Sequence, residues 1–213
     1  NGIVNEYIHV EKPDQEAVPS RQFDISKIDF ELLSREFAHT RRKNLLLRDL
    51  DELVNQQLAK MLFANPQRID YYDRYQEIID AYNAEQNRAT IEKTFMDLME
   101  LASSLDTEQQ RYVREGFSSD EELSVYDLLF SENLTKQEIE TIKKVSVDLL
   151  IKIKQQIAKL DHWTDKQETK AIVDNLIRNT LWQELPNSYD VSDIQTYQKK
   201  IYEYVYMRYP EVA

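Results

Sequence analysis

Glycine is scarce in this sequence, with two copies among 213 residues, whereas ordinary usage is about 7%. A loop that cradles nucleotide phosphates needs closely spaced glycines, because backbone N–H groups must approach the ligand. Gly2 and Gly116 lie far apart in the sequence. The glycine content therefore excludes a P-loop or a Rossmann turn within this chain.

Cysteine is absent, and there are three histidines. The chain therefore has no disulfide, no thiolate nucleophile and no thiolate zinc site. Glu6-x-x-His9 and Glu36-x-x-His39 match the step that places a carboxylate and an imidazole on one helix face, as in di-iron bundles. The first pair lies in the N-terminal stretch that also contains Pro13 and Pro19, and the second ends a short predicted helix. We therefore expect no metal, cofactor-binding or catalytic residue in the chain.

Long apolar runs and excess basic charge are also lacking. No run approaches the roughly 20 apolar residues needed to span a bilayer, and the start at Asn1 shows no signal-peptide pattern. We therefore expect a cytoplasmic protein without membrane contact, cut from a longer chain. Acidic side chains number 39 against 27 basic ones, a net charge of −12, which disfavours duplex DNA binding by this chain alone.

Apolar residues recur at three- and four-residue steps from Ser26 onward, the spacing of amphipathic helices. We predict an all-α fold, an irregular array of about eight amphipathic helices preceded by an extended N-terminal leader. Residues 1–25, which contain Pro13 and Pro19, form a predicted linker or a strand that belongs to a preceding domain. Residues 26–213 form the predicted helical domain.

Local signals mark the helix ends. Asn65 followed by Pro66 is a cap with proline in the first helical position, where the missing N–H costs nothing. One helix is predicted to end near Ser104. Further helix starts are predicted at Thr107, Thr135 and Thr164, and Gly116 is predicted to end a short helix.

Thirteen tyrosines are the most unusual positive feature. On a projection of 100° per residue, Tyr204 lies on the apolar stripe of the last helix, whereas Tyr202, Tyr206 and Tyr209 lie partly or wholly off it. Amphipathic rings on a surface favour protein interfaces, so these three tyrosines are predicted to bind a partner. The alternative is that they are half-buried core residues with hydrated hydroxyls.

Arg41, Arg42, Lys43 and Arg48 form a basic patch in an otherwise acidic neighbourhood. The patch is predicted either to be a solvated helix start or to contact nucleic acid or an acidic partner.

Five segments carry a resemblance to one protein family. They are FDISKIDFELLSREF at 23–37, NPQRIDYYDRYQEIIDAYN at 65–83, EELSVYDLLF at 121–130, LTKQEIETIKK at 134–144 and DHWTDKQETKAIVDNLIRNTLWQELP at 161–186. In content and order they resemble the C-terminal helical region of the restriction (R, or HsdR) subunit of type I restriction-modification enzymes.

The resemblance implies a role in assembly, and it implies that residues 1–25 are a linker or the trailing segment of a preceding motor domain. The family's full R subunit has a nuclease domain and two ATP-hydrolysing motor domains, then a helical domain thought to dock the motor on the methyltransferase core. The resemblance implies that the full-length parent protein binds ATP and Mg²⁺ and that this chain binds no cofactor. The implied partners are the modification and specificity subunits and the motor domains of the parent chain, with duplex DNA bound through the whole complex. A stand-alone acidic helical adaptor is the alternative, with a carboxylate-metal bundle as a distant third.

Overall fold

The computed structural model describes residues 28–85 and 87–210. Within these ranges the chain forms nine α-helices and one 3₁₀ turn, with no strand, which confirms the predicted all-α class. The predicted leader 1–25 and the start at Ser26 lie outside the described residues. The chain divides into two compact units, Asn1–Arg111 (unit 1) and Tyr112–Ala213 (unit 2).

Unit 1 is built around a long helix that packs against two others. Its elements are α1 (Phe30–His39), α2 (Lys43–Ala64), the 3₁₀ turn (Pro66–Arg68), α3 (Ile69–Ala84) and α4 (Arg88–Gln109). Helix α4 packs against both α2 and α3, burying Leu58 and Leu98 between them. Phe37 of α1 stacks on Phe95 of α4 with ring centroids 3.7 Å apart, so α1 joins the same core.

Unit 2 has a core of its own. After the short helix α5 (Arg111–Arg114), which spans the boundary, come α6 (Asp120–Leu129), α7 (Lys136–Ile157), α8 (Gln167–Glu184) and α9 (Val191–Arg208). Helix α7 packs on α6 and α8, and α9 packs on α8 and α6. The four helices thus close around buried Leu149, Ile177 and Ile201.

Several predicted helix ends are confirmed. The Asn65 side chain accepts a hydrogen bond from the Gln67 N–H, and Pro66 opens the 3₁₀ turn that leads into α3. Thr135 and Glu138 form a capping box at the start of α7, each side chain bonding the other's backbone N–H. Gly116 has a φ of +84°, the left-handed conformation that follows a helix end such as that of α5.

Two predicted starts are wrong. Thr107 lies inside α4, which continues past Ser104 to Gln109, and its hydroxyl donates to the Ser103 carbonyl at 3.1 Å. Thr164 caps no helix, because α8 begins at Gln167 with Lys166 as its cap residue.

Candidate functional site

The tyrosines of α9 divide into buried and exposed positions. Tyr204 is 2% exposed, which confirms its predicted inward orientation, and Tyr206 is 39% exposed. Tyr202 is half-buried and packs against the unit 2 core, as does Tyr209 just beyond the helix. Of the three predicted partner-binding tyrosines, Tyr206 therefore presents the most surface.

Trp163 joins two of these tyrosines into an aromatic cluster (Trp163, Tyr202 and Tyr206). Its buried ring meets Tyr206 edge-on at 5.7 Å and Tyr202 edge-on at 6.2 Å between centroids, and the two tyrosines lie 6.2 Å apart. Lys170 Nζ lies 5.6 Å from the centre of the Tyr206 ring. The exposed ring is thus held by neighbours in geometries that aromatic pairs prefer.

Tyr209 is tied to the unit itself. The Trp163 indole N–H donates to the Tyr209 carbonyl at 2.6 Å, and the Tyr209 ring meets Tyr204 edge-on at 6.4 Å. Burial raises the pKa of the Tyr209 hydroxyl, and the adjacent Tyr204 and Glu121 raise it further. Its partner-binding role stays a prediction, and it has less free surface than Tyr206.

Other exposed apolar side chains of the α8–α9 hairpin were not predicted as site residues. Trp182 is 58% exposed, and Ile172, Val191 and Met207 are exposed as well. Trp182 follows the buried Leu181, and a helix turns by 100° between neighbours, which is the signal that could have identified it.

The two helices of the hairpin run antiparallel. Gln198 of α9 donates to Asp174 of α8 at 2.8 Å, and Tyr206 lies beside Lys170 near the start of α8. Tyr206 is therefore at the open end of the hairpin. Trp182 and Val191 adjoin the connecting loop, at the opposite end.

A basic depression of about 550 Å³ lies at the start of α2 in unit 1. Arg41, Arg42 and Lys43 line it together with Leu45 and with Arg88 from the start of α4. The structure thus brings together three of the four predicted patch residues. It adds Arg88, which sequence proximity could not reveal, whereas Arg48 is exposed further along α2.

One carboxylate organises part of this depression. Lys43 Nζ donates to Glu92 at 2.9 Å, and Arg88 Nε donates to the same oxygen at 3.2 Å. These hydrogen bonds, the one from Lys43 first, lower the pKa of Glu92. Lys43 Nζ also lies 4.6 Å from the centre of the Phe37 ring. Arg41, Arg42 and Arg48 are exposed, and no described residue forms an ion pair with them.

Residues 28–85 and 87–210 contain neither a metal-binding cluster nor a membrane-spanning helix. Over residues 28–85 and 87–210, no group of three or more His, Cys, Asp or Glu side chains is placed to hold a metal ion. Glu36 and His39 are both exposed on α1, while Glu6 and His9 lie outside the described residues. In the same ranges, no helix combines the length and apolar character needed to cross a membrane.

The comparisons with known proteins agree with the resemblance of the five segments. The model of one family, described as "Type I restriction enzyme HindI endonuclease subunit-like, C-terminal", matches residues 15–209. No curated protein matches the chain, and no solved structure does. Since the match covers most of the sequence and both units, the chain belongs to the family of C-terminal domains of type I restriction enzyme HindI endonuclease subunit-like proteins.

Proposed function

We propose that this chain is the assembly domain of a type I restriction endonuclease R subunit and docks the DNA-translocating motor on the methyltransferase core. In this proposal the motor domains of the parent protein bind ATP and Mg²⁺ and carry out translocation and cleavage. The chain described here supplies contact surfaces, with the modification subunit as its principal partner.

The aromatic cluster is the observation that carries the proposal. Protein interfaces obtain much of their binding energy from a few aromatic or arginine side chains. A ring that is already fixed loses little conformational entropy on binding. Tyr206 meets both conditions, because it is exposed while Trp163 and Tyr202 hold its ring. Exposed Ile172 and Met207 add apolar surface to α8 and α9.

Co-elution with the modification subunit in size-exclusion chromatography tests the proposal. We expect the 213-residue chain to form a complex and Tyr206→Ala to weaken it at least tenfold, because interface anchors typically contribute about 2 kcal/mol or more. Tyr206→Ala should lower the free energy of unfolding by only about 1 kcal/mol, the value of a partly exposed aromatic contact.

Two variants serve as controls. Tyr204→Ala should cost about 3–5 kcal/mol of stability, which measures the effect of losing a buried tyrosine of the same helix. Trp182→Ala removes an exposed aromatic side chain at the opposite end of the hairpin and should leave the complex intact. Loss of the complex with Trp182→Ala alone would contradict docking through Tyr206. If the folded chain binds no modification subunit, the adaptor alternative replaces the proposal.

A further inference from the structure

We propose that the basic depression of unit 1 is a contact site for the phosphate backbone of duplex DNA. This site lies in a different unit from the aromatic cluster and involves a different ligand. The inference therefore does not depend on docking through Tyr206.

The local charge is opposite to that of the whole chain. Four cationic side chains line the depression, and Glu92 is the carboxylate that bonds to two of them. The chain as a whole carries a charge of −12. An excess of positive charge in one concave surface attracts a polyanion to that surface, and the negative charge of the rest of the protein repels it from other surfaces.

The cations differ in what they are free to do. Lys43 and Arg88 share the carboxylate of Glu92, which offsets part of their positive charge. Arg41 and Arg42 are exposed and form no ion pair within the described ranges. Their guanidinium groups are available to bind phosphate oxygens in the two-pronged geometry that arginine favours.

The lining suits a phosphate backbone better than an acidic protein. Protein interfaces usually have an apolar or aromatic centre, whereas Leu45 is the one large apolar side chain among the residues that line this depression. Phosphate contacts, in contrast, rely on arginine, lysine and small polar side chains. The family is named for an endonuclease subunit, whose substrate is a nucleic acid.

Fluorescence anisotropy with a short labelled duplex of arbitrary sequence tests the inference. We expect the 213-residue chain to bind at about 50 mM salt and to lose affinity toward about 200 mM, because binding releases counterions. The double variant Arg41→Gln/Arg42→Gln should bind more weakly. Its slope of log affinity against log salt should be smaller by about 2, one unit for each lost phosphate contact.

A matched control separates this site from net charge. Lys144→Gln/Lys159→Gln makes the same charge change at two exposed positions of unit 2. This variant should keep the salt slope of the unsubstituted 213-residue chain. Equal losses in the two double variants would overturn the inference, as would absence of binding at about 50 mM salt. Binding of polyglutamate through Arg41 and Arg42, without binding of DNA, would overturn it in favour of an acidic protein partner. Circular dichroism checks that each variant is folded.

Discussion

Asp51 is a buried acidic residue whose carboxylate accepts a hydrogen bond from a tyrosine. It lies on α2, and the Tyr75 hydroxyl of α3 donates to its carboxylate at 2.8 Å. Burial raises the pKa of Asp51, the hydrogen bond from Tyr75 opposes that rise, and the nearby charge of Glu52 adds to it. The Asp51 carboxyl therefore binds its proton more tightly in the folded protein than in the unfolded chain, where its pKa has the ordinary value of 3.8.

Asp51→Asn should change how stability depends on pH. The contribution of the Asp51 carboxyl is fully present below its unfolded pKa and is lost as the pH rises through its folded pKa. Asparagine keeps an acceptor for Tyr75 and cannot ionise. We therefore expect the variant to gain stability relative to the unsubstituted 213-residue chain as the pH rises from about 4 to 7. Urea unfolding at each pH measures this difference.

Tyr75→Phe is the complementary variant. It removes the donor that lowers the pKa of Asp51, so the loss of stability should move to higher pH. At neutral pH it should cost about 1–3 kcal/mol, the penalty for leaving a buried group unpaired. If the free energy of unfolding of Asp51→Asn differs from that of the unsubstituted chain by the same amount at every pH, this account is ruled out.

The predicted docking tyrosines show where a helical projection succeeds and where it fails. It places Tyr204 inward and Tyr206 outward because both lie within the regular part of α9. Tyr209 follows the last helical residue, with φ −127° and ψ 53°, so its side chain no longer follows the 100° progression. Arg88 escaped prediction for a different reason, since the tertiary fold brings it to the basic depression from another helix.

At the scale of elements, helix caps could be predicted where the signal is local. The pairs Asn65–Pro66 and Thr135–Glu138 satisfy backbone groups within a few residues, so the sequence suffices. Thr107 carries a similar signal, but a threonine inside a helix can donate to the carbonyl four residues earlier, as it does here. Buried Leu105 keeps α4 packed on the core through that point, and this packing is not visible in a capping pattern.

A buried ion pair joins the 3₁₀ turn to the end of α4. Arg68 Nε and Glu108 Oε1 are 3.0 Å apart, with side chains 4% and 7% exposed. Arg111 approaches the same oxygen at 2.8 Å. Removing the charge of Glu108 takes away the carboxylate that pairs with the buried guanidinium of Arg68.

Glu108→Gln should therefore destabilise unit 1 by about 3–5 kcal/mol. Glu100→Gln is the matched control on the same helix, because Glu100 pairs with Arg74 at 3.1 Å on the surface and should contribute at most about 1 kcal/mol. Thermal unfolding of the two variants measures the difference. Equal effects would mean that the buried pair contributes no more than the surface pair does.

The part of the chain that the structure describes contains two cores, which no sequence signal indicated. The boundary lies within the short helix α5, between Arg111 and Tyr112. No proline-rich or glycine-rich linker marks it in the sequence, so composition predicts a single helical domain over 26–213. That domain assignment stays a prediction, and the family match extends across both units.

Separate cores predict separable unfolding. Leu58→Ala empties a fully buried position of unit 1, and Leu149→Ala does the same in unit 2. Each change should cost about 2–5 kcal/mol. Hydrogen exchange should show lost protection in the altered unit, while the other unit stays as protected as it is in the unsubstituted chain. Equal loss of protection in both units after either substitution would show that they unfold as one.

The positions of the two tryptophans give the protein an internal optical label. Both lie in unit 2, Trp163 sealed at 1% exposure and Trp182 open at 58%. Indole emission therefore reports on unit 2 alone, and iodide should quench the light from Trp182 while sparing that from Trp163. A partner that covers the connecting loop of the hairpin would shield Trp182 from iodide, whereas one seated on Tyr206 would leave the quenching unchanged. The native chain can thus reveal which end is occupied without an added dye.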